Sequence, residues 1–421
     1  MSTHIDRDII VVGGGVAGAA AAALLANQGH QVALVDVQDS QFKPPAQAMD
    51  PRVVAVSVGS QRILDAAGGW ERLDPTRLAP YGRMEVLAER GELVFNADQH
   101  GLDQLGWIVE LPAMRQALWT HLRQHPNAQV MAPVSWTQVT QDDDEVRLHL
   151  NDGQTLHAPL LIAADGGRSD LRHQLALPVD AWHYNQMTLF AQLTSEHPNT
   201  GLTWQRFYDD GPLGFLALPG GHSSLAWSLP SERARELQAM PDDAFLEALN
   251  ARQDSPLGRI VATGPRHALP LVRRQARKLI KGRVVLLGDA ARSVHPMAGQ
   301  GLNIALADAG AIAELLDSPP LPNDSQLQRQ LQRYHRWRHS AGTLLAGAIH
   351  GFNELNRLPL GVGRHAMGAS MLGSKWLWPI RDIMVRRACG IDGDSPKIAR
   401  QSVSQSAHQS ASTATTESST A

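Results

Sequence analysis

The first residues able to do chemistry are Gly13-Gly14-Gly15-Val16-Ala17-Gly18, which satisfy the spacing G-x-G-x-x-G. Gly13 can make a tight turn, Gly15 lets the main chain approach a pyrophosphate, and Gly18 permits close packing of a helix on a strand. The anion would sit at the helix N-terminus. Asp36 follows Gly13 by 23 residues, where a carboxylate can accept hydrogen bonds from ribose hydroxyls. An acid there disfavours a 2′-phosphate, but this motif alone does not separate one dinucleotide from another. Residues 160–172 run from an apolar stretch into D-G-x-x-S-x-x-R, headed by Asp165 and Gly166. Residues 283–303, RVVLLGDAARSVHPMAGQGLN, bring Asp289, Pro296, Gly299, Gly301, Leu302 and Asn303 into one segment. Singly, D-G is a common turn pair and G-D-A-A can merely cap a helix. Three such segments in this order argue against coincidence.

These residues need elements to position them. Residues 8–12 read as a short buried strand, the Ala-rich stretch to Asn27 as a helix, and residues 31–36 as a second strand, together a βαβ unit opening a parallel sheet. Residues 81–95 suggest a hairpin around Arg90-Gly91, and residues 160–164 and 283–287 two further buried strands. From about residue 188 to 229 the chain changes character, carrying Phe190, Trp204, Phe207, Tyr208, Phe215 and Trp227 among Gly and Pro turns, as an antiparallel sheet would. A long helix is expected over residues 301–316. The expected architecture is α/β: a Rossmann-like nucleotide-binding domain with an inserted antiparallel β-sheet domain and C-terminal helices. The first domain would comprise residues 1–80, 105–178 and 276–345, and the β domain residues 81–104 and 179–275. Helices would follow over residues 346–400, and the Ser/Thr/Ala/Gln-rich residues 401–421 would form a disordered tail.

Composition narrows the function classes. The 38 basic and 41 acidic residues give a net charge of −3, no electrostatic footprint for nucleic acid. Cys389 is the single cysteine, which excludes an internal disulfide, a Cys-rich metal site and electron relay through paired cysteines. It also fits a reducing compartment, hence a cytoplasmic location. No metal site is expected. Residues 9–26 are nearly all apolar, but Asp6-Arg7-Asp8 lacks the positive charge of a signal sequence and the glycines would interrupt a spanning helix.

The three segments together resemble the fingerprints of FAD-dependent aromatic hydroxylases of the p-hydroxybenzoate hydroxylase type. Between them, Asp50-Pro51-Arg52-Val53-Val54-Ala55-Val56, Leu105-Gly106-Trp107-Ile108-Val109-Glu110, Ser224-Leu225-Ala226-Trp227-Ser228 and Tyr334-His335-Arg336-Trp337-Arg338 resemble the ubiquinone-biosynthesis branch. Within it the chain is most similar to the 2-polyprenylphenol 6-hydroxylases. Three positions depart from the pattern: Arg292 stands where His is usual, Gly214 where Ala is usual, and Leu111 where Asn is frequent.

The resemblance implies FAD as cofactor, held by Gly13 to Gly18 and Asp36. Asp289 would bind ribityl or ribose hydroxyls, Asp165 and Gly166 would support the pyrophosphate region, and Pro296 and Gly299 to Asn303 would lie along the flavin ring. Arg52 is either a flavin contact or a surface arginine beside a turn, and Arg115 is a weaker candidate, since one helical arginine is more often solvated. The implied reaction is ring hydroxylation of a polyprenylated phenol by O₂ through a flavin C4a-hydroperoxide, with NAD(P)H as transient electron donor. Such chemistry needs a dry pocket rather than a triad. No catalytic residue is named, and Phe190, Trp204, Phe207, Phe215 and Trp227 are either pocket wall or ordinary sheet core. A flavin-dependent reductase or oxidase, or a flavoprotein subunit of a biosynthetic complex, are the rival readings. The apolar residues between Met367 and Val385, flanked by Lys375, Arg381, Arg386 and Arg387, are either a peripheral contact with the inner membrane or a helix packed on the first domain.

Overall fold

The computed structural model describes residues 4–41, 49–88, 91–294, 299–356 and 378–400. Pro296, most of the apolar C-terminal stretch and the tail expected at 401–421 lie outside the described residues. After a short strand at His4–Asp6 come β1 (Ile9–Val12), α1 (Val16–Asn27) and β2 (Val32–Val35), and later β3 (Val53–Ser57), α2 (Val58–Ala66), β4 (Gly106–Glu110), α3 (Leu111–Gln124), β5 (Ala128–Met131) and β6 (Leu160–Ala163). Both β1 and β2 are four-residue apolar strands buried throughout, as strands covered on both faces must be. Ala19 to Ala23 are fully buried, and their small side chains let α1 lie close against its neighbours.

Further on come β7 (Val179–Ser195), β8 (Leu202–Tyr208), β9 (Gly211–Ala217), β10 (Ser223–Pro230), α4 (Ser231–Ala239), α5 (Asp242–Asn250), β11 (His267–Ala276) and β12 (Val284–Leu286). Helices α6 (Gln300–Leu315), α7 (Asp324–Asn356) and α8 (Trp378–Ala388) follow, with one more turn of helix at Lys397–Arg400. One six-stranded sheet runs in the order Ile280–Lys281, β12, β6, β1, β2, β5, with every pair parallel except the first. The carboxyl ends of β12, β6, β1 and β2 therefore lie side by side. From them emerge Gly288-Asp289, Asp165-Gly166, Gly13 and Asp36, the three sequence fingerprints and their acid. Ligands of open parallel sheets bind at that edge.

The second large sheet is built on β11, β7, β10, β9 and β8, continued by Arg83–Ala88 and Gly91–Asn96. It is antiparallel as expected apart from one join, β8 with Arg83–Ala88, which is parallel. Those two segments are distant in sequence, so no hairpin dictates their direction. Helices α4 and α5 cover one face, burying Ala234, Leu237, Phe245 and Leu249 against the sheet. A third apolar cluster, including Val53, Ala55, Tyr81, Leu218, Val385 and Cys389, joins β3, the second sheet and α8. His100 Nδ1 and Asp382 Oδ1, 2.7 Å apart, tie α8 to the turn after Gly91–Asn96. Among the described residues no helix is long and apolar enough to cross a membrane.

Candidate cofactor and substrate site

The glycine loop shows why each glycine stands where it does. A Cβ on Gly13, whose φ is +103°, would lie 2.3 Å from the Ala164 carbonyl oxygen. One on Gly18 would lie 2.0 Å from the Gly13 carbonyl oxygen, so α1 could not approach β1. One on Gly15 meets nothing within 4 Å. Three of the glycines are thus demanded by packing, Gly14 because a Cβ there would lie 2.4 Å from the buried Trp119 ring, and Gly15 alone of the four faces open space at the start of α1. Gly14 N donates to Asp36 Oδ2 at 2.5 Å, and Gln38 N donates to Asp36 Oδ1 at 2.7 Å, fixing the acid beside the loop.

Two residues of α3 complete this corner. Trp119 Nε1 and Arg115 Nε each donate to the Gly14 carbonyl oxygen at 2.8 Å. The guanidinium lies 4.7 Å from the centre of the Trp119 ring and 3.4 Å from Asp36 Oδ1. Arg115 is therefore part of the loop's support and not the solvated helical arginine its sequence context suggests. Trp119 was not singled out from sequence at all. Its signal is the i,i+4 spacing from Arg115, which puts both on one helix face.

The second and third fingerprints meet the first. Ala164 lies against Gly13, and Gly288, with φ +61°, would place a Cβ 3.3 Å from Ala17. Arg172 donates to Ala290 O at 2.8 Å and to Gly167 O at 3.0 Å, joining the two later fingerprints. Asp165 Oδ2 accepts from Leu171 N at 3.1 Å, while its Oδ1 is buried with no hydrogen-bond partner. Burial raises the Asp165 carboxyl above the usual carboxylate range, against the hydrogen bonds from Ser169 and Leu171 N. Gly166 has φ +84° and open space beyond its Cα. Asp289 is exposed by surface area yet crowded by protein, as a group on the wall of a cleft would be. That crowding raises its carboxyl, and the charge of Arg274 partly opposes the rise.

Around the expected ring position the side chains are more committed. Gly299 adopts φ +62° ahead of α6, with its Cα facing Ala55, and no side chain caps that helix. Asn303 Nδ2 donates to Ala55 O and its Oδ1 accepts from Ser57 N, both at 3.0 Å, so its amide stitches α6 to β3. Gly301 and the partly buried Leu302 belong to the same first turn. Arg52 stands three residues before Ala55, roughly 10 Å along the strand. It is 62% exposed and its guanidinium is engaged by Asp50 at 3.0 Å. The buried Glu110 holds this corner, accepting from Asp50 N at 2.6 Å and from Arg77 at 2.7 Å.

The second sheet supplies the opposite wall. Trp204, Phe215 and Trp227 point to the helix-covered face, where Trp204 and Phe215 stack at 5.3 Å, so these three are core and not pocket wall. Phe190 and Phe207 fall on the other face by strand alternation. Register places His267, Phe190, Ala226, Gly214 and Gln205 in one row across five strands of that face. One position along, Gln192 Oε1 accepts from Met49 N at 3.3 Å, which turns this face toward the segment carrying Arg52 and Ala55.

Comparison with known proteins agrees with this geometry. The FAD binding domain family matches residues 6–346. The 3-demethoxyubiquinol 3-hydroxylase of Escherichia coli is 35% identical over 319 residues, covering 75% of this chain and 80% of the relative. The ubiquinone hydroxylase UbiL of Rhodospirillum rubrum is 31% identical over 393 residues, covering 87% and 90%. The chain belongs to the FAD-dependent ubiquinone-biosynthesis hydroxylases. The fold is shared with the crystal structure of PqsL from Pseudomonas aeruginosa, with a TM-score of 0.70 over 87% of this chain and 100% of that one at 23% identity.

For an FAD hydroxylase the residues present fit the cofactor. Gly15 and Gly166 leave room for a main-chain approach, and Asp165 Oδ1 and Asp289 present carboxylate oxygens free to accept from hydroxyls. Arg292, the departure from the usual His, turns away from the cleft. It is buried, and its Nη1 lies 2.8 Å from Asp308 Oδ2. The hydroxylase therefore uses this arginine inside the fold, and contact with substrate or redox partner is not its task.

Proposed function

We propose that this hydroxylase inserts oxygen into the aromatic ring of a polyprenylated phenol in ubiquinone biosynthesis, using FAD, O₂ and NAD(P)H. The observation that carries the reading is the opposition of two surfaces. The fingerprint edge of the parallel sheet faces, across Met49 to Ala55, a sheet face with Phe190, Phe207 and Leu216 around the low centre of Gly214 and Ala226. Relatives named for ubiquinone and 3-demethoxyubiquinol support a hydrophobic quinone precursor.

In this reading Gly13, Gly14, Gly15, Val16, Ala17 and Gly18 take the pyrophosphate, and Asp36 and Asp289 take sugar or ribityl hydroxyls. Asp165 and Gly166 support the phosphate region. Gly299, Gly301, Leu302 and Asn303 act through main-chain N–H groups, since the Asn303 amide is already used. The start of α6 then favours negative charge on the ring edge. Bound there, FAD supplies the activation and transfer of oxygen. The chain's part is placement and exclusion of water, and Phe190, Phe207 and Leu216 of the inner face serve both. Because the phenol would live in lipid, peripheral membrane contact and association with other enzymes of the pathway belong to the same proposal.

The test is to delete the gene and identify by mass spectrometry which quinone precursor accumulates. Build-up of an unhydroxylated polyprenylphenol with loss of quinone is expected, and the accumulating species identifies the ring position. Unchanged quinone and precursor levels would overturn the pathway assignment while leaving the FAD fold intact.

A further inference from the structure

The turn that presents Asp289 is held from behind by a single buried carboxylate. Asp308, fully buried on α6, accepts from Gly288 N at 3.4 Å and from Arg292 Nη1 at 2.8 and 3.0 Å. Those donors are the two ends of the five-residue segment with Asp289 inside it. Its middle is pinned as well, by Arg172 on Ala290 O and by Ala276 N on Ala291 O at 2.9 Å.

A second cation closes the arrangement from α7. Arg338 Nε donates to Asp308 Oδ1 at 2.7 Å, its Nη2 reaches Ile304 O at 3.3 Å, and its own carbonyl accepts from Arg292 Nη2 at 3.1 Å. Burial, then Asp308, pushes the Tyr334 phenol well above its ordinary value, and burial, then Arg292, pulls the His339 imidazole down. Space is matched too: a Cβ on Gly342 would stand 2.4 Å from Arg292 Nε. An arginine at 292 and no side chain at 342 are two halves of one fit.

We propose that Asp308 is a positioning residue for the cofactor. By gripping Gly288 and Arg292 it fixes the direction in which the Asp289 carboxylate enters the cleft, and Arg292 opposite Gly342 is this chain's own form of the clamp. The inference rests on the reading that Asp289 accepts from FAD hydroxyls. A buried carboxylate with two guanidiniums is costly to form and more costly to break, so the turn has one setting.

The test is a double-mutant cycle on FAD affinity, read by quenching of flavin fluorescence as apoprotein is titrated. Asp289→Asn and Asp308→Asn are each expected to weaken FAD binding by about tenfold or more. The double variant should bind no more than about twofold more weakly than Asp289→Asn alone, because Asp308 acts through Asp289. Additive losses would make Asp308 a support of the fold alone and overturn the inference while leaving Asp289 in place. Unchanged affinity in Asp289→Asn would instead remove the Asp289 reading, and the inference with it. If Asp308→Asn does not fold, Gly342→Ala presses on Arg292 with both carboxylates intact. It should weaken FAD by about threefold to tenfold in the parent and by nothing in the Asp289→Asn background. A loss in both backgrounds, or in neither, overturns the proposal.

Discussion

The glycine loop and the inner face of the second sheet both line the proposed site, but their residues are constrained differently. In the loop each glycine is set by what stands beside its Cα: Gly13 and Gly18 have main-chain atoms within 2.3 Å of where a Cβ would stand, Gly14 has the Trp119 ring at 2.4 Å, and Gly15 has nothing within 4 Å. On the sheet face, what matters is which of two sides a residue points to, and aromatic residues occupy both. A motif made of backbone constraints carries its function in residue type. A pocket made of alternating side chains carries it in register, which residue type does not reveal.

The sharpest test of that contrast lies within the loop itself. Gly15→Glu should abolish FAD retention while leaving the apoprotein's melting temperature within a few degrees, because the new side chain enters open space that the pyrophosphate needs. Gly18→Ala should instead prevent folding, since its methyl would stand 2.0 Å from the Gly13 carbonyl oxygen. Absorbance of bound flavin and thermal melts of both variants separate the two effects. A yellow, fully loaded Gly15→Glu protein would remove the loop from the cofactor site.

On the sheet the corresponding pair is Trp204→Ala and Phe190→Ala. Trp204 is fully buried and stacked on Phe215, so its truncation should cost about 3–5 kcal/mol of stability. The surviving folded fraction should keep a near-normal KM. Phe190 is half-buried on the face toward Met49, and its truncation should cost about 1 kcal/mol while raising KM for the phenol roughly tenfold. Denaturant melts and steady-state kinetics read both. A reversal of the two patterns would mean that the substrate lies on the other side of the sheet.

These cases mark how far the sequence could be read. The strand–glycine–helix unit, the four strand ends that carry Gly13, Asp36, Asp165 and Asp289, and the hairpin over residues 83–96 follow from local patterns of spacing and apolarity. Trp204, Phe215 and Trp227 could not be assigned to core or pocket, because the choice depends on helices α4 and α5 covering one face. Arg115 looked solvated, because its partners Gly14 and Gln38 lie 101 and 77 residues away in sequence. Arg292 stood out only as a departure from the usual His, and its contacts with Asp308 and Gly342 reveal it as core.

The smallest effect expected comes from Asp165, where cofactor and fold make opposite demands. Its carboxyl is raised by burial, so in the native apoprotein it holds its proton more tightly than in the unfolded chain. As pH rises from the ordinary carboxylate range through the raised native value, the unfolded state has already released the proton that the native state still binds, and stability falls. Above that window the ionised, half-partnered Asp165 is a standing cost, and below it the cost is absent. Asp165→Asn should therefore raise the apoprotein's melting temperature by about 1–3 °C at pH 7 and by nothing near pH 3. The same variant should hold FAD less tightly, since the buried Oδ1 no longer offers a charged acceptor. Melts of apo and FAD-loaded protein at both pH values read the two effects separately. A lower melting temperature in the apoprotein at pH 7 would show that Asp165 serves the fold of its turn more than it serves the cofactor.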